Sequence, residues 1–418
     1  MTHKTDILII GGGVIGACTA LYLTRAGRQV TLVEKGDICA GASHGNACWV
    51  AASSPLPTPS PGVLTQGLKW MLDSGSPFYI KPRFSLDLVR WLWKFQSFCN
   101  DEKMMAGSET LIPLNRQSLE LFRQLSAEPE LDFGFDEAGL LHLHLSEKYC
   151  KAGEKSAAQH NKLGIKAIFM EPNKLKELEP NLKDGVISGV FYPEHAHLNP
   201  SQLVKSVAAL AGKEGAKIMT HTEVTAFKKL GNQIAEIETT SGKIVPNEVV
   251  LAAGAWSSIL AKQVGAPILM EPAKGYSVTA KRSSAVHGPS RPLSVDDAKV
   301  AISPLGATHF RFSSTLELAG FDPTINPKRL AVNRKTLQRV LHDMDVIDAE
   351  ETWAGYRPLT PDDLPYIGRS ERVGNLIFAT GHGMLGITHG PITGKLVKEI
   401  LMDEKPSIPL AAMRPDRF

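Results

Sequence analysis

The sequence predicts an α/β protein in two parts, a parallel sheet with helices packed on it and a second, α+β part. Three observations predict it. The first 34 residues read strand, helix, strand around a glycine-rich turn. The 418-residue chain is too long for one compact core. Soon afterwards Ser54-Pro55-Leu56-Pro57-Thr58-Pro59-Ser60-Pro61 forbids helix and sheet alike and reads as a connection leaving the first part.

Taken in order, Asp6 to Ile10 is an apolar strand, Val14 to Ala26 a helix stopped by Gly27, and Gln29 to Glu34 a second strand. Residues 64–128 read as largely helical, with Trp70, Trp91, Trp93, Phe95 and Phe98 on apolar faces. The alternation through Leu141-His142-Leu143-His144-Leu145 is strand-like. Helices are expected at 147–163, 201–214 and 327–343. Strands are expected near 186–192, 217–220 and 248–253, and the stretch 270–320 reads as β-rich. A final helix carries Ile392, Leu396, Val397, Ile400 and Leu401 on one face, with Thr388 as its expected cap and Pro391 in its first turn.

Composition narrows the function. With 43% hydrophobic and 21% charged residues and a net charge of +3, the chain is ordinary for a globular protein, and no basic run suits nucleic acid. Five cysteines without a Cys-x-x-Cys pair fit a reducing compartment, and cytoplasm is the expected location. The apolar stretch Ile7 to Leu23 imitates a signal-peptide core, but its glycines favour strand-turn-helix. The Trp/Phe-rich helices leave open a peripheral contact with the inner face of the plasma membrane; lacking a basic face, they read better as core or lid. His142/His144 and His195/His197 are spaced like metal pairs, but no carboxylate or cysteine cluster accompanies them, so no metal is expected.

The turn Gly11-x-Gly13-x-x-Gly16 follows a strand and opens a helix, the Rossmann-like context of a dinucleotide fingerprint. Amides of Gly13, Val14 and Ile15 would meet a pyrophosphate at the helix N-terminus. Glu34, 18 residues past Gly16, is placed to accept from ribose hydroxyls. Downstream features select FAD over NAD. Ser43-His44-Gly45-Asn46-Ala47 offers small and polar groups near the phosphates, Ala253-Gly254-Ala255-Trp256 ends a strand beside them, and Gly383-Met384-Leu385-Gly386-Ile387-Thr388 is another strand-to-helix junction. A helix N-terminus there would stabilise the negative charge of a reduced flavin. Gly41-x-Ser43-x-Gly45 also matches a serine-hydrolase elbow, but it lacks the strand immediately before it.

These motifs, with Pro61-Gly62-Val63, Leu68-Lys69-Trp70-Met71, Lys274-Gly275-Tyr276-Ser277, Gly320-Phe321-Asp322, Arg357-Pro358-x-Thr360-Pro361-Asp362 and Thr380-Gly381-His382-Gly383-x-Leu385-Gly386, carry a resemblance. The chain resembles the D-amino-acid oxidase superfamily of flavoproteins, and more closely the small subunit of bacterial D-amino-acid dehydrogenases and their D-hydroxyproline dehydrogenase relatives. The resemblance implies an FAD-binding domain over 1–60, 150–265 and 346–418 and a substrate-binding domain over 61–149 and 266–345. It places the carboxylate-binding arginine at Arg357, with Tyr276 and His382 as further catalytic candidates, and adds Lys35 and Val224 to the cofactor set. The chain departs from it at Cys48, where the relatives have glycine, and at Glu194-His195-Ala196-His197. Those departures favour cyclic imino acids such as D-proline or hydroxy-D-proline over a broad range of D-amino acids, with L-imino acids and sarcosine-like amines behind. His44 and Cys48 raise a covalent flavin link, but neither aligns with an attachment position, so non-covalent FAD is expected. Hydride transfer to flavin N5 needs no side-chain base, and electrons then leave for a quinone, a carrier protein or oxygen.

Overall fold

The structure is a computed structural model that describes residues 2–63, 67, 76–283, 286–344 and 347–418. The expected helical residues Leu68 to Met71, Trp70 included, lie outside them.

An eight-stranded sheet forms around Thr2–Ile10, which pairs in parallel with Val30–Val33 on one side and Gly242–Leu251 on the other. Lys217–Met219 extends the sheet beyond Val30–Val33, and Leu376–Thr380 joins the C-terminal half of Gly242–Leu251. Alternation along Thr2–Ile10 divides the two faces. Ile7 and Ile9 pack under the helices Val14–Arg25, Pro200–Lys213 and Gly386–Leu401, whereas Leu8 and Ile10 join a core with Ile234, Ile237 and Ala261. The last group belongs to an antiparallel pair, Val224–Leu230 with Gln233–Thr239, and to the helix Ser257–Gln263.

The second sheet has nine strands in the order Ala349–Leu359, Glu271–Lys281, His309–Leu318, Val300–Leu305, Leu293–Val295, Leu140–His144, Ser188–Tyr192, Ile168–Met170, with Phe78–Ile80 beside His309–Leu318. Pro327–Val340 packs over a core of Val278, Ile302, Phe310 and Leu337. Ile168–Met170, Ser188–Tyr192 and Ala349–Leu359 thus pair in this sheet, although the resemblance implies that they belong to the dinucleotide-binding part.

Three local expectations need correction. Trp93, expected on a packed face, is 75% exposed, because the helix Leu86–Phe98 turns Leu88, Trp91 and Phe95 inward instead. The final helix begins at Gly386, so Pro391 falls in its second turn rather than its first. Thr388 does not cap that helix; its hydroxyl oxygen accepts from the Ala51 amide at 2.9 Å and ties the Trp49–Val50 strand to the helix start.

Candidate functional site

A cavity of about 1260 Å³ runs between the two sheets. At one end lies the glycine turn. Gly11 has φ +115° and a Cβ there would overlap the Ala252 carbonyl, while a Cβ on Gly16 would overlap the Gly11 carbonyl. Only glycines allow strand, helix and the 252–254 turn to meet so closely. The amides at the start of Val14–Arg25 therefore converge on the cavity, where Gly11, Gly13, Val14 and Ile15 form its wall; Gly16 lies behind them.

Glu34 closes this end. One carboxylate oxygen accepts from the Gly12 amide at 2.7 Å and the other from the Gly36 amide at 3.0 Å, which fixes the side chain and leaves lone pairs for a ligand diol. Lys35 stacks over the Trp256 ring at 3.8 Å, and both line the cavity with Val224, Ala253 and Gly254. Ser43 Oγ accepts from the Val14 amide at 3.0 Å. It sits in a turn well past the preceding strand, which rules out a hydrolase elbow. Asn46 folds the same loop, donating to the Ser43 carbonyl and accepting from the Cys48 amide.

The opposite wall comes from the C-terminal junction. Gly383, Met384, Leu385, Gly386 and Ile387 line the cavity where the Gly386–Leu401 helix starts. Its free N-terminal amides favour negative charge there. His382 also lines it, with Nε2 2.9 Å from Thr393 Oγ1. Burial, reinforced by neighbouring His389, holds its pKa well below the usual histidine range, so it stands neutral.

Arg357 forms part of the floor. Its side chain lies across Gly275, where any Cβ would overlap the guanidinium. Nη1 donates to the Thr315 carbonyl at 2.9 Å, and among the described residues no carboxylate pairs with it. Desolvation pushes its pKa down to about 10, which still leaves it cationic at neutral pH. A guanidinium this enclosed calls for an anionic ligand.

Several expected site residues lie elsewhere. Tyr276 alternates to the face opposite Gly275 and is 1% exposed; its hydroxyl donates to Glu317 Oε1 at 2.7 Å and is not in the cavity wall. His44 turns away, with Nδ1 2.9 Å from Ser201 Oγ and Nε2 2.7 Å from Glu351. Gly45 is covered by the Trp353 ring. Cys48 takes φ +67° and buries its thiol 3.7 Å from the Asn46 carbonyl, outside the cavity wall. His195 and His197 are likewise buried away from it, and Thr388 stands behind the wall. Parts of the wall carried no such sequence signal. The proline-rich Ser53 to Thr58 segment lines the cavity rather than leading away from it, and Asp363 joins it from a turn without any periodic signal.

Comparison with known proteins agrees with this architecture. The family model described as FAD dependent oxidoreductase matches residues 6–400. A D-amino acid dehydrogenase of Helicobacter pylori (strain J99 / ATCC 700824) is 32% identical over 400 residues, covering 96% of this chain and 95% of that protein. One from Vibrio vulnificus (strain YJ016) is 29% identical over 407 residues, covering 95% of this chain and 96% of that protein. Among solved structures, glycine oxidase from Geobacillus kaustophilus superposes with a TM-score of 0.80 at 23% identity over 100% of this chain and 99% of its own. L-proline dehydrogenase from P. horikoshii does so at 0.77 and 23%, over 100% and 98%. A glycine-cradled cavity that fits a dinucleotide and a family match over nearly the whole chain lead to one conclusion: this protein belongs to the FAD dependent oxidoreductase family.

Proposed function

We propose that the protein is a dehydrogenase that oxidises the Cα–N bond of D-amino acids. Arg357, facing the cavity with no ion-pair partner among the described residues, is the observation that carries this reading. Its fork takes the substrate carboxylate in two parallel bonds and so fixes Cα. FAD, when bound, supplies the hydride acceptor. Gly11, Gly13, Val14, Ile15, Glu34 and the 43–47 loop would hold its dinucleotide portion, and the N-terminus of Gly386–Leu401 would favour the charge of its reduced form. The apolar walls, among them Trp91, Phe95 and Leu359, exclude water. His382, neutral and bonded to Thr393, shapes the turn and moves no proton. The names of the D-amino acid dehydrogenase relatives support the substrate class. Anaerobic exposure of the flavin-loaded protein to D- and L-amino acids tests it: bleaching by D-amino acids is expected, and its absence would refute the reading.

The preference for cyclic imino acids loses its basis, because Cys48, His195 and His197 do not line the cavity. Linear D-amino acids are therefore included in the proposed range. The same placement supports non-covalent FAD. Acid precipitation is expected to release all flavin into the supernatant, and flavin retained in the pellet would overturn that part.

A peripheral membrane contact also gains support. Among the described residues no helix is long and apolar enough to cross a membrane. Leu86, Val89 and Trp93, however, share the outward face of Leu86–Phe98 at 68%, 62% and 75% exposure, beside Phe84 at 97%. Exposed Arg90 flanks them. This stripe suits a bilayer interface and would bring a membrane quinone within reach as electron acceptor. Co-sedimentation with phosphatidylglycerol-containing vesicles is expected to fall about tenfold in a Leu86→Gln/Trp93→Gln variant. Equal sedimentation of variant and wild type would remove the contact.

A further inference from the structure

The cavity wall holds a second charged side chain, opposite in sign to the half-buried Arg357. Asp363 lies in the turn after Ala349–Leu359, is 9% exposed and lines the cavity. Its φ of +62° is a left-handed conformation that a β-carbon disfavours. Strain of this kind persists where the surroundings over-determine it, and functional sites are where it collects. Oδ2 takes both bonds that Thr58 offers, 2.9 Å from its amide and 2.6 Å from its hydroxyl. Oδ1 accepts from no donor among the described residues, and no cationic side chain pairs with it.

Asp363 and Arg357 share one neighbourhood. Leu359, two residues beyond Arg357, occupies the same strand face. A Cβ built on Gly383 would lie 3.4 Å from Leu359 Cδ2 and 2.7 Å from Asp363 Oδ1. A half-buried guanidinium and a buried carboxylate, neither with an ion-pair partner among the described residues, match a ligand that carries both signs. An amino acid does.

We propose that Asp363 is the amine anchor of the site: its Oδ1 accepts from the substrate nitrogen while Arg357 holds the carboxylate. The assignment rests on the oxidation proposed above. In that reaction the Cα–H bond breaks and its electron pair leaves with the hydrogen as hydride to the flavin. The nitrogen, having given up its ammonium proton to solvent before the transfer, uses the freed lone pair to form the C=N bond, so the amine is oxidised, the flavin would be reduced and nitrogen becomes cationic again. A carboxylate beside that nitrogen stabilises the charge where it develops.

The pH dependence follows from the surroundings. Burial pushes the Asp363 carboxyl up to about 6; neighbouring Asp362 adds to the rise, and the Thr58 bonds oppose it. Asp362 is itself tied to Arg417 at 2.8 Å, and His382, on the adjacent turn, is held uncharged by burial. Thr58, which bonds the carboxyl, and Gly383 beside it do not titrate in this range. Asp363 is therefore the group in its immediate surroundings whose charge changes near pH 6, and kcat/KM is expected to rise with pH as it ionises.

The test uses the FAD-loaded protein with Asp363→Asn and Asp363→Gly, the second relieving the left-handed backbone; flavin content reports folding. Anaerobic reduction by D-alanine is measured against pH, and propionate, a carboxylate without an amine, is titrated by its perturbation of the flavin absorbance. Both variants are expected to lose about a hundredfold in the efficiency of reduction by D-alanine while propionate binding changes less than about threefold. The acidic limb near pH 6 is expected to vanish in both. Matched losses for D-alanine and propionate, or an acidic limb that persists in Asp363→Asn, would overturn the assignment. Wild type reduced by D-alanine with unaltered variants sinks the Asp363 role alone. Wild type reduced by no amino acid sinks the oxidation reading and this one with it.

Discussion

Replacing Arg357 with methionine is expected to lower kcat/KM for D-amino acids by about a thousandfold, roughly 4 kcal/mol of transition-state stabilisation, with flavin content unchanged. The size follows from what the side chain faces. Its one side-chain hydrogen bond among the described residues, to the Thr315 carbonyl, leaves most of the guanidinium fork for a ligand. Methionine keeps much of the volume, so the loss reports the charge and the two parallel bonds rather than a collapsed wall. Arg357→Lys should recover little of the rate, because an ammonium lacks the planar fork. Gly275→Ala should imitate the loss with the arginine still present, since the new methyl would occupy the space of the guanidinium. Steady-state kinetics with the ratio of flavin to protein decide the matter. Activity within tenfold of wild type in Arg357→Met would mean that the carboxylate is held elsewhere.

Gly16→Val is expected to abolish FAD binding, with affinity falling at least about a hundredfold and the protein purifying colourless. Even a Cβ at this position would overlap the Gly11 carbonyl, and valine adds two methyl groups to the collision. The helix Val14–Arg25 must then move off the turn, and its N-terminal amides no longer converge on the cavity. Ser43→Ala supplies the contrast. It removes one bond, to the Val14 amide, and should weaken FAD by only about 1 kcal/mol. Fluorescence titration of the apoprotein with FAD checks both. A Gly16→Val protein that keeps its colour would show that the close packing is dispensable.

Local chemistry made the cofactor end legible in the sequence. A glycine turn between an apolar strand and a helix has few alternatives, and Gly11, Gly16 and Glu34 stand where that logic puts them. The substrate end depends on long-range pairing. Ala349–Leu359 lacks the alternation of a half-buried strand, yet it pairs along Glu271–Lys281 from Leu359 opposite Glu271 to Ala349 opposite Ala280. That pairing sets which residues face the cavity. It turns Gly275 and Arg357 toward the ligand and sends Tyr276 to the far side, a choice of phase that a strand pattern alone does not settle. His44 and Cys48 failed as cofactor contacts for a similar reason. They belong to an irregular loop whose path is fixed by Asn46 and by partners more than 150 residues away, such as Ser201 and Glu351. Asp363 gave no signal, because a left-handed aspartate in a Thr-Pro-Asp-Asp turn reads as surface punctuation until the Thr58 segment is seen to bury it.

In the proposed reaction this cavity joins a bound FAD to a D-amino acid anchored by Arg357. Anaerobic flavin reduction by matched D- and L-amino acids, with D-proline in the same panel, tests it most directly. D-Alanine and other linear D-amino acids are expected to bleach the flavin, their L-enantiomers at least about a hundredfold more slowly, and Arg357→Met to abolish the difference. A flavin that stays oxidised with every D-amino acid, or that bleaches equally fast with the L-enantiomers, would contradict it.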